Sequence, residues 1–172
     1  SRGLGDVYKR QLMGPVGAAA QSLIVGASML TVGDLLRMRA REVPDRIALE
    51  DHRRRLTYGQ FNGRVNRLAN ALAGLGAVRG DRIAILSENR SEFMEAAFAA
   101  AKLGCVLCCQ NWRLSDPELT HCIGLIEPRI GLVSERFAET FARIEHGCDR
   151  VVAFGEAYEA LLEKAADSEP GV

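Results

Sequence analysis

From residue 82 onward the chain alternates short apolar runs with segments of helical period. RIAILS (82–87), CVLCCQ (105–110), RIGLVS (129–134) and RVVAFG (150–155) are the runs. SEFMEAAFAAAKLG (91–104), SDPELTHCIGLIE (115–127), ERFAETFARIEH (135–146) and EAYEALLEKAA (156–166) follow them. A strand that must pair in parallel with the next needs a crossover about as long as these segments. The repeat therefore predicts an α/β fold, a mostly parallel sheet flanked by helices. Runs as continuous as IAIL and CVLCC predict burial on both faces of the sheet. Capping signals agree. Ser91 is expected to cap its helix and Gly104 to end it. Ser115, with Pro117 in the first turn and Glu118 at the capping-box position, opens the next.

The first half reads differently. TVGDLLRMRAREV (31–43) has a helical apolar stripe, with Thr31 as N-cap and Pro44 as stop. IALED (47–51) and RLTY (55–58) flank the charged turn His52-Arg53-Arg54, which predicts a short antiparallel hairpin. Thr57 then opens a longer helix whose apolar face carries Phe61, Val65, Leu68, Leu72 and Leu75, stopped by Gly74 and Gly76.

Charge narrows the function classes. The 172 residues carry 22 Lys plus Arg and 22 Asp plus Glu, a formal net charge of zero. That balance gives no electrostatic reason to expect nucleic acid or an anionic membrane as partner. No unbroken apolar stretch reaches the ~18–20 residues of a transmembrane segment. The nearest, 12–30, is interrupted by Gly14, Pro15, Gly17 and Gly26. Residues 1–28 are read as a disordered or artefactual leader and 29–172 as the folded portion. Five cysteines, an odd number, fit free thiols in a cytoplasmic protein.

Cys105-x-x-Cys108-Cys109 invites a metal or redox reading, which the pattern argues against. Structural zinc sites commonly pair such knuckles twice. Redox pairs sit at helix N-termini, where the dipole lowers the thiol pKa. Here a single pair lies in a strand-like run, with Cys105 and Cys109 on one side and Cys108 on the other, and buried strand cysteines are the expectation. The glycines of LGAVRGD (75–81) follow a helix and precede a strand, the reverse of a dinucleotide fingerprint. His52, His121 and His146 are isolated. That leaves Asn111-Trp112-Arg113, just past a strand's carboxyl end, where open α/β sheets place their ligand sites. Arg113 offers a fork for phosphate or carboxylate and Trp112 a stacking face. The alternative is a plain loop in which Asn111 caps and Arg113 pairs with a nearby acid such as Asp116.

The run from RLTYGQF (55–61) through ANALAGLGAVRGDRI (69–83), NRSEF (89–93) and AAAKLGCVLCCQNWRL (99–114) to SDPEL (115–119), preceded by EVPDRIAL (42–49), resembles the amino-terminal part of the adenylate-forming acyl-CoA synthetases, the AMP-binding superfamily. The resemblance covers about residues 31–152 and rests on the order and spacing of the series. It implies a partial N-terminal domain of the adenylate-forming ligase fold. It also implies a two-step reaction in which a carboxylic acid and ATP, with Mg2+, give an acyl-adenylate that a thiol, usually coenzyme A, then takes up. On the same ground Arg113 is the expected contact to a coenzyme A phosphate, with Asn111 and Trp112 beside it. No catalytic residue and no metal ligand is carried over. The family's Ser/Thr/Gly-rich phosphate loop ending in Pro-Lys-Gly, its adenine-binding segment and its catalytic lysine do not occur in these 172 residues. The chain is therefore expected to be a truncated portion of a ligase that does not turn over alone. The alternative is a stand-alone, non-catalytic α/β binding module.

Overall fold

The computed structural model describes residues 31–171, so the leader expected at 1–28 lies outside the described residues. Helix α1 (Val32–Glu42) leads into the antiparallel hairpin β1 (Ile47–Glu50) and β2 (Arg55–Thr57). Asp51 Oδ1 accepts from the amides of Arg53 and Arg54 at 2.7 and 2.8 Å and so shapes the turn. Helix α2 (Tyr58–Gly74) follows, opened by a capping box between Thr57 and Gln60.

The alternating half then runs β3 (Arg82–Leu86), α3 (Ser91–Leu103), β4 (Val106–Cys109), α4 (Asp116–Ile126), β5 (Ile130–Val133), α5 (Ala138–Arg143), β6 (Arg150–Ala153) and α6 (Glu156–Glu163). The four strands are parallel, in the order β4-β3-β5-β6. Alternation along them sorts side chains between two cores. Ile83, Ile85, Ile130 and Leu132 pack with α2, α3 and α6. Leu86 and Val133 pack on the opposite side with Leu119 and Ile123 of α4 and Phe141 of α5. Gly131 faces this second core without a side chain, and a Cβ there would lie 2.8 Å from Phe141 Cζ. Gly131→Ala is expected to cost about 2 kcal/mol of stability through overpacking, read as a lowered denaturant midpoint.

Three expectations need correction. CVLCC is not buried on both faces, because β4 is an edge strand. Val106 is 51% exposed, Cys109 is exposed, and Cys105 and Cys108 are half-buried. An apolar run reports hydrophobicity, while edge or centre is decided by non-local pairing. Ser91 is not the cap of α3 but its first residue; Arg90 holds the cap position and makes no side-chain cap bond. The segment 135–146 is not one helix. A 3-10 turn at Glu135–Phe137 precedes the short α5, which ends before Ile144 turns inward to the core.

Candidate functional site

Because the strands are parallel, their carboxyl ends share one edge. The chain leaves β3 to add β4 on one side, then returns across the sheet to add β5 on the other. The strand order thus reverses at β3/β5, the kind of position where open α/β sheets form ligand crevices. Two polar links span it. Ser134 Oγ, fully buried, donates to Glu88 Oε2 at 2.7 Å. Arg90 Nη1 donates to Glu135 Oε2 at 2.6 Å.

Beside this junction the loop after β4 carries the residues singled out by sequence. Asn111 Oδ1 accepts from the Arg113 amide at 3.1 Å, a small Asx turn just past the carboxyl end of β4. The Trp112 ring stacks on Phe137, with centroids 5.7 Å apart and planes at 24°. Two guanidiniums lie over the same indole, Arg113 at 4.2 Å and Arg136 at 5.1 Å from its centroid. The loop alternative had Arg113 paired with Asp116, but Asp116 pairs with Arg143 at 3.2 Å. Among the described residues Arg113 and Arg136 form no salt bridge. Asn111, Trp112 and Arg113 are thus brought together with Arg136 into a cationic, aromatic platform open to solvent. Arg136 went unrecognised in the sequence; its signal is its position directly after a strand, equivalent to that of Arg113.

A second missed cluster lies inward of the platform. Arg90 is 2% and Glu92 is 1% exposed at the side chain, and they form a two-pronged pair with both N···O distances 2.7 Å. Arg54 links Glu92 (3.3 Å) to Glu159 (2.8 Å). Arg64 links Glu159 (2.8 Å) to Glu95 (2.6 Å), and Tyr158 donates to Glu95 at 2.6 Å. The hydrogen bonds that Arg90 donates to Glu92 push its guanidinium further into its charged range, despite burial. Burial alone would raise the Glu92 carboxyl, but Arg90 and Arg54 hold it below the usual carboxylate range. Burial, reinforced by Glu95, lifts the Tyr158 hydroxyl well above its ordinary value. Every charge here is matched, so the cluster fixes helices α2, α3 and α6 and the β1–β2 turn to one another; it leaves no group poised to react.

The cysteines build no site. Burial raises the Cys105, Cys108 and Cys109 thiols, and pushes Cys148 up to about 11. Raised thiols disfavour the thiolate that metal binding and redox exchange require. All five cysteines are free, and among the described residues no three His, Cys, Asp or Glu side chains converge to hold a metal ion. No helix among them is long and apolar enough to cross a membrane.

The family model described as AMP-binding enzyme matches residues 36–170. The feruloyl-CoA synthase of Amycolatopsis sp is 36% identical over 132 residues, 77% of this chain and 26% of the relative. The fatty acid–[acyl-carrier-protein] ligase ScoC of Streptomyces coeruleorubidus is 33% identical over 118 residues, 68% of this chain and 23% of the relative. The crystal structure of the N-terminal domain of FACL13 from Mycobacterium tuberculosis superposes with a TM-score of 0.76 at 30% identity, covering 84% of this chain and 38% of that one. The chain thus spans about a quarter of the length of the curated relatives it matches.

Proposed function

The chain belongs to the AMP-binding enzyme family, and on that premise we propose that it is the amino-terminal portion of an ATP-dependent carboxylate–CoA ligase. In the first step a carboxylate oxygen attacks the α-phosphorus of ATP; the bond to the bridging oxygen breaks, leaving acyl-adenylate and pyrophosphate. In the second a thiolate attacks the acyl carbon and AMP departs with the bonding electron pair, leaving a thioester. The residues described here bind rather than react. They lack the phosphate loop and lysine needed to neutralise the charge developing on the transferred group, so the 172 residues alone do not turn over. Mg2+ accompanies ATP in such a ligase, but the described side chains form no metal site, and no step of theirs runs through it. Five free cysteines fit a reducing, cytoplasmic setting.

The observation that carries the reading is the Arg113–Trp112–Arg136 platform at the carboxyl edge of the sheet. Two guanidiniums beside one indole, without acidic partners among the described residues, suit a phosphate-bearing nucleotide. Coenzyme A carries such a nucleotide, whereas the pantetheine arm of a carrier protein ends on the protein. The platform therefore favours free coenzyme A as acceptor over the carrier-protein acceptor in the name of ScoC.

In the full-length ligase, Arg113→Ala is expected to raise KM for coenzyme A about tenfold, the loss of one charge-assisted bond of roughly 1.4 kcal/mol. ATP–pyrophosphate exchange, which reads adenylation alone, stays unchanged. With pantetheine, which lacks the nucleotide, the variant and the unaltered enzyme perform alike. An equal loss with pantetheine, or slowed exchange, would remove Arg113 from the acceptor site.

A further inference from the structure

After α6 the backbone turns back and lies along α2, where Asn62, Asn66 and Asn70 stand one turn apart. Asn70 Nδ2 donates to the carbonyls of Ala166 and Ser168 at 2.8 and 2.9 Å, and Asn66 Nδ2 to that of Asp167 at 2.8 Å. The oxygens of the Asn62 and Asn66 amides accept from Lys102 Nζ at 2.8 and 2.7 Å. The same ammonium donates to Glu169 Oε2 at 2.7 Å, and Asn62 Nδ2 donates to the other Glu169 oxygen at 3.2 Å. Lys102 is 3% exposed at the side chain. A cavity of about 510 Å³ adjoins the pair, lined also by Arg37 and Arg79.

Both Glu169 oxygens therefore meet donors fixed on rigid helices, and the preceding carbonyls meet a periodic track of amides. Among the described residues the last buried apolar side chain is Leu162, and residues 166–169 are held by the polar contacts just given. Segments so held detach at a small fraction of the global unfolding free energy. Their departure would leave a buried ammonium without its hydrogen-bonded counter-charge, in a cavity where Asp34 is already paired with Arg37.

We propose that Lys102, Asn62 and Asn66 form a carboxylate-recognition site that Glu169 fills in cis, making residues 166–170 a latch that opens without the rest of the fold. This stands independently of the ligase reading. The test is nuclear magnetic resonance on the full chain. In Glu169→Ala, the backbone order parameters of residues 166–171 are expected to fall from about 0.8 to below 0.6, with those of β3 and β5 unchanged. Acetate, compared with chloride at equal ionic strength, should then shift the side-chain amide signals of Asn62 and Asn66 saturably in the variant and not in the unaltered chain. Asn70→Ala, which leaves the carboxylate site intact, should also loosen 166–168. A segment 166–170 that stays ordered in both variants, or sheet signals that broaden with it, would overturn the latch. Acetate shifts that are absent, or identical with and without Glu169, would overturn the site.

Discussion

Arg90→Ala is expected to lower the unfolding free energy by about 3–5 kcal/mol, read as a shift of the urea midpoint. The size follows from what stays behind. Glu92 is 0% exposed, and without Arg90 it keeps one cation, Arg54, a more distant partner at 3.3 Å, and the Ser91 hydroxyl, which donates to it at 3.2 Å. An uncompensated carboxylate in that position must either hold its charge in a poor dielectric or take up a proton. Arg90 also bonds Glu135 at 2.6 Å and lies 5.2 Å from the centroid of the Phe154 ring, so truncation removes a packing contact as well. Arg90→Lys keeps the charge but not the planar fork and should fall between the two. The double change Arg90→Met with Glu92→Leu removes both charges together and should recover much of the loss, since a buried pair is worth little more than apolar residues of like volume. A loss below about 1 kcal/mol in Arg90→Ala would show that water reaches the pair and screens it.

The local elements were legible because local rules make them. The Thr57 cap and the Ser115–Glu118 box sit where the sequence puts them, and Gly104 ends α3 with φ at 65°. IAIL and IGLV are central strands, as their unbroken apolar runs suggest. What was not legible is non-local. Nothing in CVLCC says whether a neighbour will pair on one side or two. Apart from Arg90–Glu92, the ion network joins residues 31 to 105 positions apart, and charges so scattered read as solvated faces. One signal did exist. Glu92 and Glu95 share the face of α3 that carries Ala96, Ala99 and Leu103, so two acids fall on an apolar stripe. Acids placed there need partners, and the arginines of the β1–β2 turn and α2 supply them. For the candidate site, the place of Arg113 and of Arg136 after a strand can be read in the sequence. That the two meet over one indole cannot, because it depends on β5 lying on the far side of β3.

Acid should unfold this chain from a higher pH than its ordinary carboxylates would suggest, with several kcal/mol lost between about pH 5 and pH 2. Hydrogen bonds from Arg64 and Arg54 bring the Glu159 carboxyl down to about 2. Asp51, Glu92, Glu135 and Glu169 are all held below their ordinary values against burial, by amide, arginine or lysine donors. The sign is fixed by linkage. A carboxylate with a depressed folded pKa binds fewer protons folded than unfolded between the two values. Its stabilisation is complete above the unfolded pKa and drains away as pH falls toward the folded one. General repulsion among arginines grows over the same range, so a local variant must separate the two. Glu159 is one-third exposed at the side chain, which screens its pairs and leaves on the order of 1–2 kcal/mol for it alone. Glu159→Gln should therefore cost that amount at pH 7 and almost nothing at pH 2, so that the two stability curves converge on acidification. A gap that stays constant with pH would mean that Glu159 contributes by packing and not by charge, and that the acid sensitivity belongs to its buried neighbours.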